Sequence, residues 1–281
     1  PQYHIYRVPA GSRRREVIAS LDARGPAYIH DCSVTDSHVV LVESPLVLSV
    51  LQALNPFSEG AIDMLQWQPD SPTRLLVVDR DSGELVADPT FEATFCFHHV
   101  NAYRDGREIV LDLIEFPNSD IVGSLSLSAL DGKGFPDVPA GRLMRYRIDP
   151  RVNSVDRERL YPGGMELPRV PRGRVGREHR YAYGQATDRE GANGLVKVDC
   201  ETGQAQEWWE PGVYVEEPIP IQRPAGDAED DGVVVATALD VEAERTLLLV
   251  FDAATLTVEA RATLPHAEPF GFHGRFFPRE D

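Results

Sequence analysis

Short apolar segments, interrupted by Gly, Pro, Asp and Asn, dominate the chain, and no series of long amphipathic helices accompanies them. This pattern predicts an all-β architecture. One unit recurs within it: an apolar strand, a turn rich in Asp or Gly, and a second strand. The five copies of this unit begin with the strands Tyr3–Val8, Arg74–Asp79, Leu143–Asp149, Leu195–Asp199 and Leu247–Asp252.

The copies follow one another at intervals of about 50 to 70 residues. A repeat of this length built from hairpins is typical of a β-propeller, and a sandwich of unrelated hairpins is the alternative. Because the chain opens directly in such a hairpin, we expect it to contain only the later blades. Its two loops rich in Pro and charge, 168–177 and 218–231, are too short to link domains, so we expect a single domain over 1–281.

Residues 45–57 break the β pattern. Apolar residues recur there at helical spacing, and Asn55-Pro56 ends the segment, so we predict a short surface helix. Its apolar face would consist of Val47, Val50, Leu51 and Leu54. This face could pack on a sheet edge or dip into a bilayer, although no basic residues flank it as they do in many interfacial helices.

The aromatic run Phe95–Asn101 predicts a strand that is buried on both faces, closed into a hairpin by Asp105-Gly106. Two adjacent histidines lie in the middle of this run. Side chains alternate along a strand, so His98 and His99 must point to opposite faces. Each buried ring needs a polar partner, and only one of the two can reach a shared interior point.

The charge balance limits the classes of partner. The formal net charge is −17, which argues against nucleic acid because its phosphates would be repelled. The only lysines are Lys133 and Lys197, and the other basic residues are arginine. An acidic, lysine-poor surface indicates adaptation to high salt, where self-repulsion is screened, and a genome of high GC content is the alternative explanation.

Cysteine usage and hydropathy bear on localisation. Cys32, Cys96 and Cys200 are odd in number and widely spaced, which predicts a reducing compartment without a disulfide framework. The sequence contains no run of eighteen apolar residues and no signal-peptide pattern. We therefore expect a cytoplasmic protein, with peripheral membrane contact as the open question.

Three of the eight histidines lie in apolar or tight-turn settings and belong to different predicted blades: His30, His98 and His273. The innermost strands of a propeller converge on one axis, so these rings could meet at a single point. An all-imidazole site of this kind suits Fe(II), Zn or Cu, with carboxylates expected behind the ligands. Glu166 and Glu217 fit that supporting role, since each precedes a proline in apolar surroundings.

Several short segments resemble, in their order along the chain, the motifs of the carotenoid cleavage oxygenases, with most similarity to the animal branch that includes the β-carotene oxygenases and the retinal-pigment-epithelium isomerohydrolase. The matching segments are Ile29-His30-Asp31, Phe97–Tyr103, Glu166-Leu167-Pro168, Tyr181–Gly184, Glu217-Pro218, Glu229–Val233 and Phe272-His273-Gly274. The resemblance runs the length of the chain. It implies a seven-bladed β-propeller with a non-haem Fe(II) on its axis, held by four histidines that three glutamates orient.

Carried over by motif, His30, His98 and His273 resemble the second, third and fourth iron ligands of that family. Glu166 would orient His98, and Glu217 would orient His273. In the family pattern the first ligand histidine and the glutamate partner of His30 lie upstream of Pro1, which again predicts that the chain holds the later blades. Residues 45–57 fall in a region that the family uses to reach lipid-dissolved substrates, which favours peripheral membrane contact there.

The resemblance implies an Fe(II)-dependent dioxygenase that uses O2 to cleave a conjugated C=C bond of a carotenoid or apocarotenoid, such as a precursor of retinal, to two carbonyl products. A stilbene-cleaving dioxygenase with the same iron site is one alternative. The other is an inactive propeller remnant that acts as a binding module, because the first ligand histidine is not in this sequence. The sequence holds no Ser-His-Asp or paired-carboxylate arrangement, in agreement with chemistry supplied by iron.

Overall fold

The computed structural model describes residues 1–49, 52, 54, 60, 62–126, 140–189, 193–268 and 271–278. Within these ranges the chain is built almost entirely from strands, as the sequence predicts. The first strands are β1 (Gln2–Arg7), β2 (Glu16–Asp22), β3 (Cys32–Val34), β4 (His38–Glu43), β5 (Leu46–Leu48), β6 (Leu65–Trp67), β7 (Thr73–Asp79), β8 (Leu85–Ala87), β9 (Thr90–Phe91), β10 (Phe95–Asp105) and β11 (Glu108–Phe116).

The strands continue with β12 (Arg142–Asp149), β13 (Ser154–Arg159), β14 (Met165–Arg169), β15 (Tyr181–Ala186), β16 (Gly194–Asp199), β17 (Ala205–Trp209), β18 (Val213–Val215), β19 (Ile219–Gln222), β20 (Gly232–Asp240), β21 (Arg245–Asp252) and β22 (Val258–Thr263). The helical elements given with bounds are α1 (Asp120–Ser124) and the 3₁₀ turns Ile62–Met64 and Arg172–Arg174, and Gln52 is also helical.

The larger sheets follow chain order. Two four-stranded sheets have the orders β10-β11-β12-β13 and β14-β15-β16-β17. Two five-stranded sheets have the paths β3-β4-β7-β8 and β18-β20-β21-β22, with β9 paired to β7 and β19 to β20. The smaller sheets are β1-β2 and β5-β6. The five predicted hairpins are all present, as β1-β2, β7-β8, β12-β13, β16-β17 and β21-β22.

An aspartate at the end of a strand closes several of these turns. Oδ1 of Asp79 accepts the N–H groups of Asp81 and Ser82 at 3.0 and 2.8 Å. Oδ1 of Asp252 likewise accepts those of Ala254 and Thr255, at 3.1 and 2.8 Å. The carboxylate satisfies backbone donors that the tight turn would otherwise leave unpaired. The recurrent Asp in the sequence pattern therefore has a local structural cause.

The chain divides into two compact units. The first comprises 1–111, 115–139 and 146–157, and the second comprises 112–114, 140–145 and 158–281. One apolar cluster of the first unit joins residues of β2, β4 and β7, among them Leu21, Leu41 and Leu76. In the second unit, residues of β15, β16, β18, β20 and β21 form a larger cluster around Phe251. The expectation of a single domain stays a prediction.

The prediction of a helix over 45–57 is wrong for its first residues. Leu46–Leu48 forms the strand β5, in which Val47 pairs with Gln66 of β6. Leu46 is 2% exposed and its carbonyl accepts the N–H of Tyr28 at 2.7 Å. Sheet pairing and burial of Leu46 thus override the helical spacing of the apolar residues. Val50 and Leu51 lie outside the described residues, and Leu54 lies in a turn and is 76% exposed.

Candidate metal centre

His30 and His98 lie side by side in the first unit. His98 is in the middle of β10, and His30 precedes β3. Their ring centroids are 5.1 Å apart and their planes are nearly perpendicular, at 86°. The hydroxyl of Tyr28 lies 2.8 Å from Nδ1 of His30, and this hydrogen bond restrains the rotation of the imidazole ring. A ring held at Nδ1 can bind a metal ion through Nε2.

An aromatic cluster lies beside this pair of imidazoles. The ring of Phe97 lies 5.2 Å from that of His30 and 4.7 Å from that of Phe95, both edge to face. Phe116 and Tyr28 complete the cluster, with centroids 6.2 and 6.4 Å from Phe97. Phe97 thus lies close to both imidazoles, since its ring centroid is also 6.1 Å from that of His98.

His99 points to the opposite face of β10 from His98, as the strand geometry requires. Its Nδ1 lies 2.9 Å from the hydroxyl oxygen of the buried Ser33, and its backbone N–H donates to Oδ2 of Asp31 at 2.9 Å. Burial, which opposes the charged form, lowers the pKa of His99 to about 4 despite the neighbouring Asp31 carboxylate. His99 is therefore a neutral, hydrogen-bonded core residue.

In the second unit, His273 is held by Glu217. Nδ1 of His273 lies 2.9 Å from Oε1 of Glu217, whose side chain is 3% exposed. Oε2 of the same carboxylate accepts the N–H of Gly274 at 2.8 Å. A neutral imidazole that donates from Nδ1 to a carboxylate has its Nε2 lone pair available for a metal ion. This carboxylate–histidine contact is the arrangement that usually orients metal-binding imidazoles.

The neighbouring Glu216 holds the same segment further upstream. Its Oε1 accepts the N–H of Gly271 at 2.6 Å, and its Oε2 accepts the hydroxyl of Thr237. A Cβ on Gly271 would lie 3.1 Å from the Glu216 carboxylate, so glycine allows this close approach. Two consecutive carboxylates, at the entry to β19, thus fix the backbone on both sides of His273.

Glu166 lies at an irregularity of β14. The pairing of β14 with β15 shifts register between Glu166 and Arg169, and Leu167 adopts a positive φ of 47°. Oε2 of Glu166 accepts the N–H of Leu167 at 2.5 Å. The bulge explains why the segment Glu166-Leu167-Pro168 interrupts regular alternation. The pairing of Glu166 with His98 stays a prediction.

The donor chemistry of these residues fits the implied metal. Neutral imidazoles are suitable ligands for Fe(II), and a buried carboxylate behind His273 offsets part of the charge that such ligands leave uncompensated. His30, His98 and His273 are therefore suitable in type, and His30 and His273 also have polar partners at Nδ1.

A second group of potential ligands, in the second unit, was not anticipated. Ligand atoms of Asp112, His179 and Cys200 all lie within 4.8 Å of one another, and all three residues are buried. Arg145, however, donates to both oxygens of Asp112, at 2.9 and 2.8 Å, and Nε2 of His179 lies 3.1 Å from one of them. A guanidinium in this position would repel a cation, so the group is a buried ion-pair network.

Sequence comparison places the chain in a family. Residues 1–278 match the model of the retinal pigment epithelial membrane protein family. The chain belongs to this family. The chain is 32% identical over 260 residues to the apocarotenoid-15,15'-oxygenase of Synechocystis, covering 89% of this chain and 52% of that protein. It is also 32% identical over 299 residues to the chloroplastic carotenoid cleavage dioxygenase 8 homolog A of Oryza sativa, covering 99% and 53%.

Structural comparison agrees. The crystal structure of cobalt-substituted Synechocystis ACO superposes with a TM-score of 0.80 at 28% identity, covering 94% of this chain and 55% of that chain. The predicted all-β propeller-family fold is confirmed. The chain spans about half the length of the curated relatives it matches, in keeping with the expected later blades.

Proposed function

We propose that the protein is a non-haem Fe(II) dioxygenase that cleaves a conjugated C=C bond of a carotenoid or apocarotenoid into carbonyl products. Membership of a family whose relatives include carotenoid cleavage enzymes supports the reaction class. The observation that carries the proposal for this chain is the contact between His273 and the buried Glu217, because it prepares an imidazole for metal binding.

In this proposal His30, His98 and His273 are iron ligands, Glu217 orients His273, and Glu166 orients His98. Iron would supply the redox chemistry with O2. The residues of the chain would hold the imidazoles in fixed orientations. Tyr28 fixes His30 through its hydroxyl, and Phe97 makes an edge-to-face contact with the same ring.

The aromatic cluster around His30 and His98 supports a hydrophobic polyene as the substrate class. Phe95, Phe97 and Phe116 are 0%, 8% and 2% exposed and pack on one another, so they form an uncharged, apolar core beside the two histidines. Among these residues there is no general acid or base, and none is needed when both carbonyl oxygens come from O2.

The test combines metal analysis with turnover. We expect the protein reconstituted anaerobically with Fe(II) to hold about one iron and to convert an apocarotenoid in air to two carbonyl fragments, identified by mass spectrometry. His98→Ala and His273→Ala should lose iron. The matched control is His266→Ala, because the exposed imidazole of His266 lies against the exposed carboxylate of Glu268 in its own segment.

Other outcomes separate the alternatives. Bound iron with cleavage of a stilbene but of no apocarotenoid would favour the stilbene-cleaving reaction. A folded protein that binds no iron and turns over neither substrate would favour a propeller remnant that acts as a binding module. Iron content unchanged in both histidine variants would refute the proposed ligand set.

We also propose peripheral contact with a membrane that holds the substrate. No helix among the described residues is long and apolar enough to cross a bilayer. Leu48 and Leu54 are exposed apolar side chains, 39% and 76% exposed, in the region of 45–57. We expect Leu54→Glu to reduce co-flotation with liposomes, whereas Val152→Glu, at an exposed site in the turn between β12 and β13, should not. Equal flotation of both variants would refute this contact.

The acidic surface supports a high-salt cytoplasmic environment. With a net charge of −17, self-repulsion opposes the compact state at low ionic strength. We expect the midpoint of thermal unfolding to rise between 0.1 and about 2 M KCl, as screening increases. A midpoint that is unchanged over this range would favour ordinary acidity instead.

A further inference from the structure

The carboxylate that holds His273 is itself held by an arginine that sequence reasoning did not single out. Nε of Arg169 donates to Oε1 of Glu217 at 2.8 Å, and its terminal nitrogen Nη2 donates to Oε2 at 3.0 Å. We propose that Arg169 is a positioning residue: its guanidinium fixes the plane of the Glu217 carboxylate and thereby the ring of His273, which sets the metal affinity of the site. The inference rests on the proposed function, since it assumes that His273 binds metal.

The two hydrogen bonds from the Arg169 guanidinium, here called the fork, explain how the carboxylate is held. A carboxylate has about four lone-pair sites, and the planar guanidinium occupies one on each oxygen. The remaining sites then point in fixed directions, one to Nδ1 of His273 at 2.9 Å and one to the N–H of Gly274 at 2.8 Å. Without the fork, the carboxylate can rotate about its terminal torsion, which has a broad energy profile.

Local structure delivers Arg169 to this position. The register shift between Glu166 and Arg169 and the positive φ of Leu167 turn the end of β14, so that Arg169 pairs with Tyr183 of β15. Its side chain is 42% exposed, while that of Glu217 is 3% exposed. Arg169 therefore lies between a buried carboxylate and solvent. The four-residue segment Glu166–Arg169 thus supplies a proposed ligand partner at one end and this fork at the other.

A merely structural ion pair is the competing explanation, and the chain offers a matched control. Arg174 pairs with Glu229 at 3.1 Å in the same unit, and its side chain is 41% exposed beside a carboxylate side chain that is 8% exposed. It matches Arg169 in exposure and partner type, but its carboxylate partner is Glu229 and not Glu217. Loss of either pair should affect stability to a similar extent.

The experiment measures Co²⁺ affinity by competition with a chelator, together with the visible absorption of bound Co²⁺ and the thermal midpoint of the apo protein. Arg169→Gln should weaken Co²⁺ binding about 10- to 100-fold, the usual effect of disturbing a group behind a metal ligand. Arg169→Lys retains the charge but not the fork, so most of the loss should remain. Arg174→Gln should bind Co²⁺ within about twofold of the wild type, since its carboxylate partner Glu229 accepts the backbone N–H groups of Arg180 and Tyr181.

The outcomes are distinct. Equal Co²⁺ affinities for Arg169→Gln and Arg174→Gln, or full affinity in Arg169→Lys, would overturn the positioning role while leaving the metal site in place. A wild-type protein that binds no Co²⁺ would overturn the proposed function and this inference with it. If Arg169→Gln fails to fold, Arg169→Lys decides, because it keeps the positive charge beside the buried Glu217.

Discussion

The guanidinium of Arg145 forms two hydrogen bonds, of 2.9 and 2.8 Å, with the carboxylate of Asp112, which is fully buried. A second terminal nitrogen of Arg145 donates to the carbonyl of Cys200 at 3.4 Å. Burial acts to raise the pKa of Asp112, but the hydrogen bonds from Arg145 and His179 outweigh it and hold that pKa below its usual range. The pair thus remains ionised in the core, where the loss of either partner leaves a charge without compensation.

This relationship predicts the effect of Asp112→Asn. Neutralising one partner of a buried ion pair typically costs about 3 to 5 kcal/mol of unfolding free energy, because the remaining charge stays desolvated. Urea unfolding monitored by tryptophan fluorescence measures the loss. Glu16→Gln is the control, since the Arg7–Glu16 pair is exposed and should contribute less than about 1 kcal/mol. Equal losses for the two variants would contradict the structural assignment.

The two adjacent histidines of β10 should behave differently. His98→Ala removes a proposed iron ligand, so iron content should fall to near zero. Ser33→Ala removes the hydroxyl beside the buried His99 ring and should cost about 1 to 2 kcal/mol of stability, with iron content unchanged. Elemental analysis and urea unfolding separate the two effects. Should Ser33→Ala lose iron while His98→Ala retains it, His99 rather than His98 would face the metal.

Two turn glycines separate backbone conformation from steric contact. Gly83 and Gly106 both adopt a positive φ, of 75° and 59°. A Cβ on Gly106 would meet nothing within 4 Å, whereas a Cβ on Gly83 would lie 2.2 Å from the carbonyl oxygen of Ile18. Gly106→Ala should therefore cost about 1 kcal/mol, the price of the left-handed conformation alone. Gly83→Ala should cost at least about 2 kcal/mol, because the backbone of β2 must also move.

Thermal or urea unfolding of both glycine variants provides the measurement. Equal destabilisation would mean that the turn of β7-β8 does not approach β2 as closely as described. In that case the cost of Gly83→Ala would be explained by its backbone conformation alone, as for Gly106→Ala, with no added steric clash.

The aspartate turns predict a pH dependence. The hydroxyl of Thr255, with two backbone N–H donors, lowers the pKa of Asp252 from its usual 3.8. Because the folded-state pKa is the lower one, the stabilisation is complete above the unfolded pKa and disappears as pH falls through the folded pKa. The stability advantage of the wild type over Asp252→Asn should thus be constant above about pH 5 and shrink toward pH 2. Asp227→Asn, in an exposed loop, is the control.

Chemical denaturation of both proteins at several pH values tests the direction of this pH dependence. An advantage over Asp252→Asn that grows on acidification would show that Asp252 does not accept these hydrogen bonds as a carboxylate.

Local sequence signals predicted much of the fold because they act over short distances. Alternating apolar residues and an aspartate at the strand end specify a hairpin within about 15 residues, and all five predicted hairpins formed. The strand Phe95–Asn101 and the opposite directions of His98 and His99 follow from the two-residue period of a strand. The motifs also carried the family assignment, which the match over 1–278 confirms.

Other features depended on partners that are distant in the chain. Leu46–Leu48 became a strand because β6 pairs with it, although the spacing of its apolar residues suits a helix equally well. Arg169 pairs with Glu217, 48 residues away, and Asp112 is buried beside Arg145, 33 residues away. No local pattern distinguishes these arginines from the exposed ones around them.

The amino-acid sequence alone therefore determined the strands, their turns, the family and the types of residue available for a metal, since these depend on local periodicity and on motifs. Only the tertiary structure decided which side chain satisfies which charge. It gave Glu217 both His273 and Arg169 as partners, and it gave Asp112 an arginine that excludes a cation. The physical reason is that a buried ionic group needs a compensating partner, and the folded backbone rather than the sequence neighbourhood brings that partner within hydrogen-bonding distance.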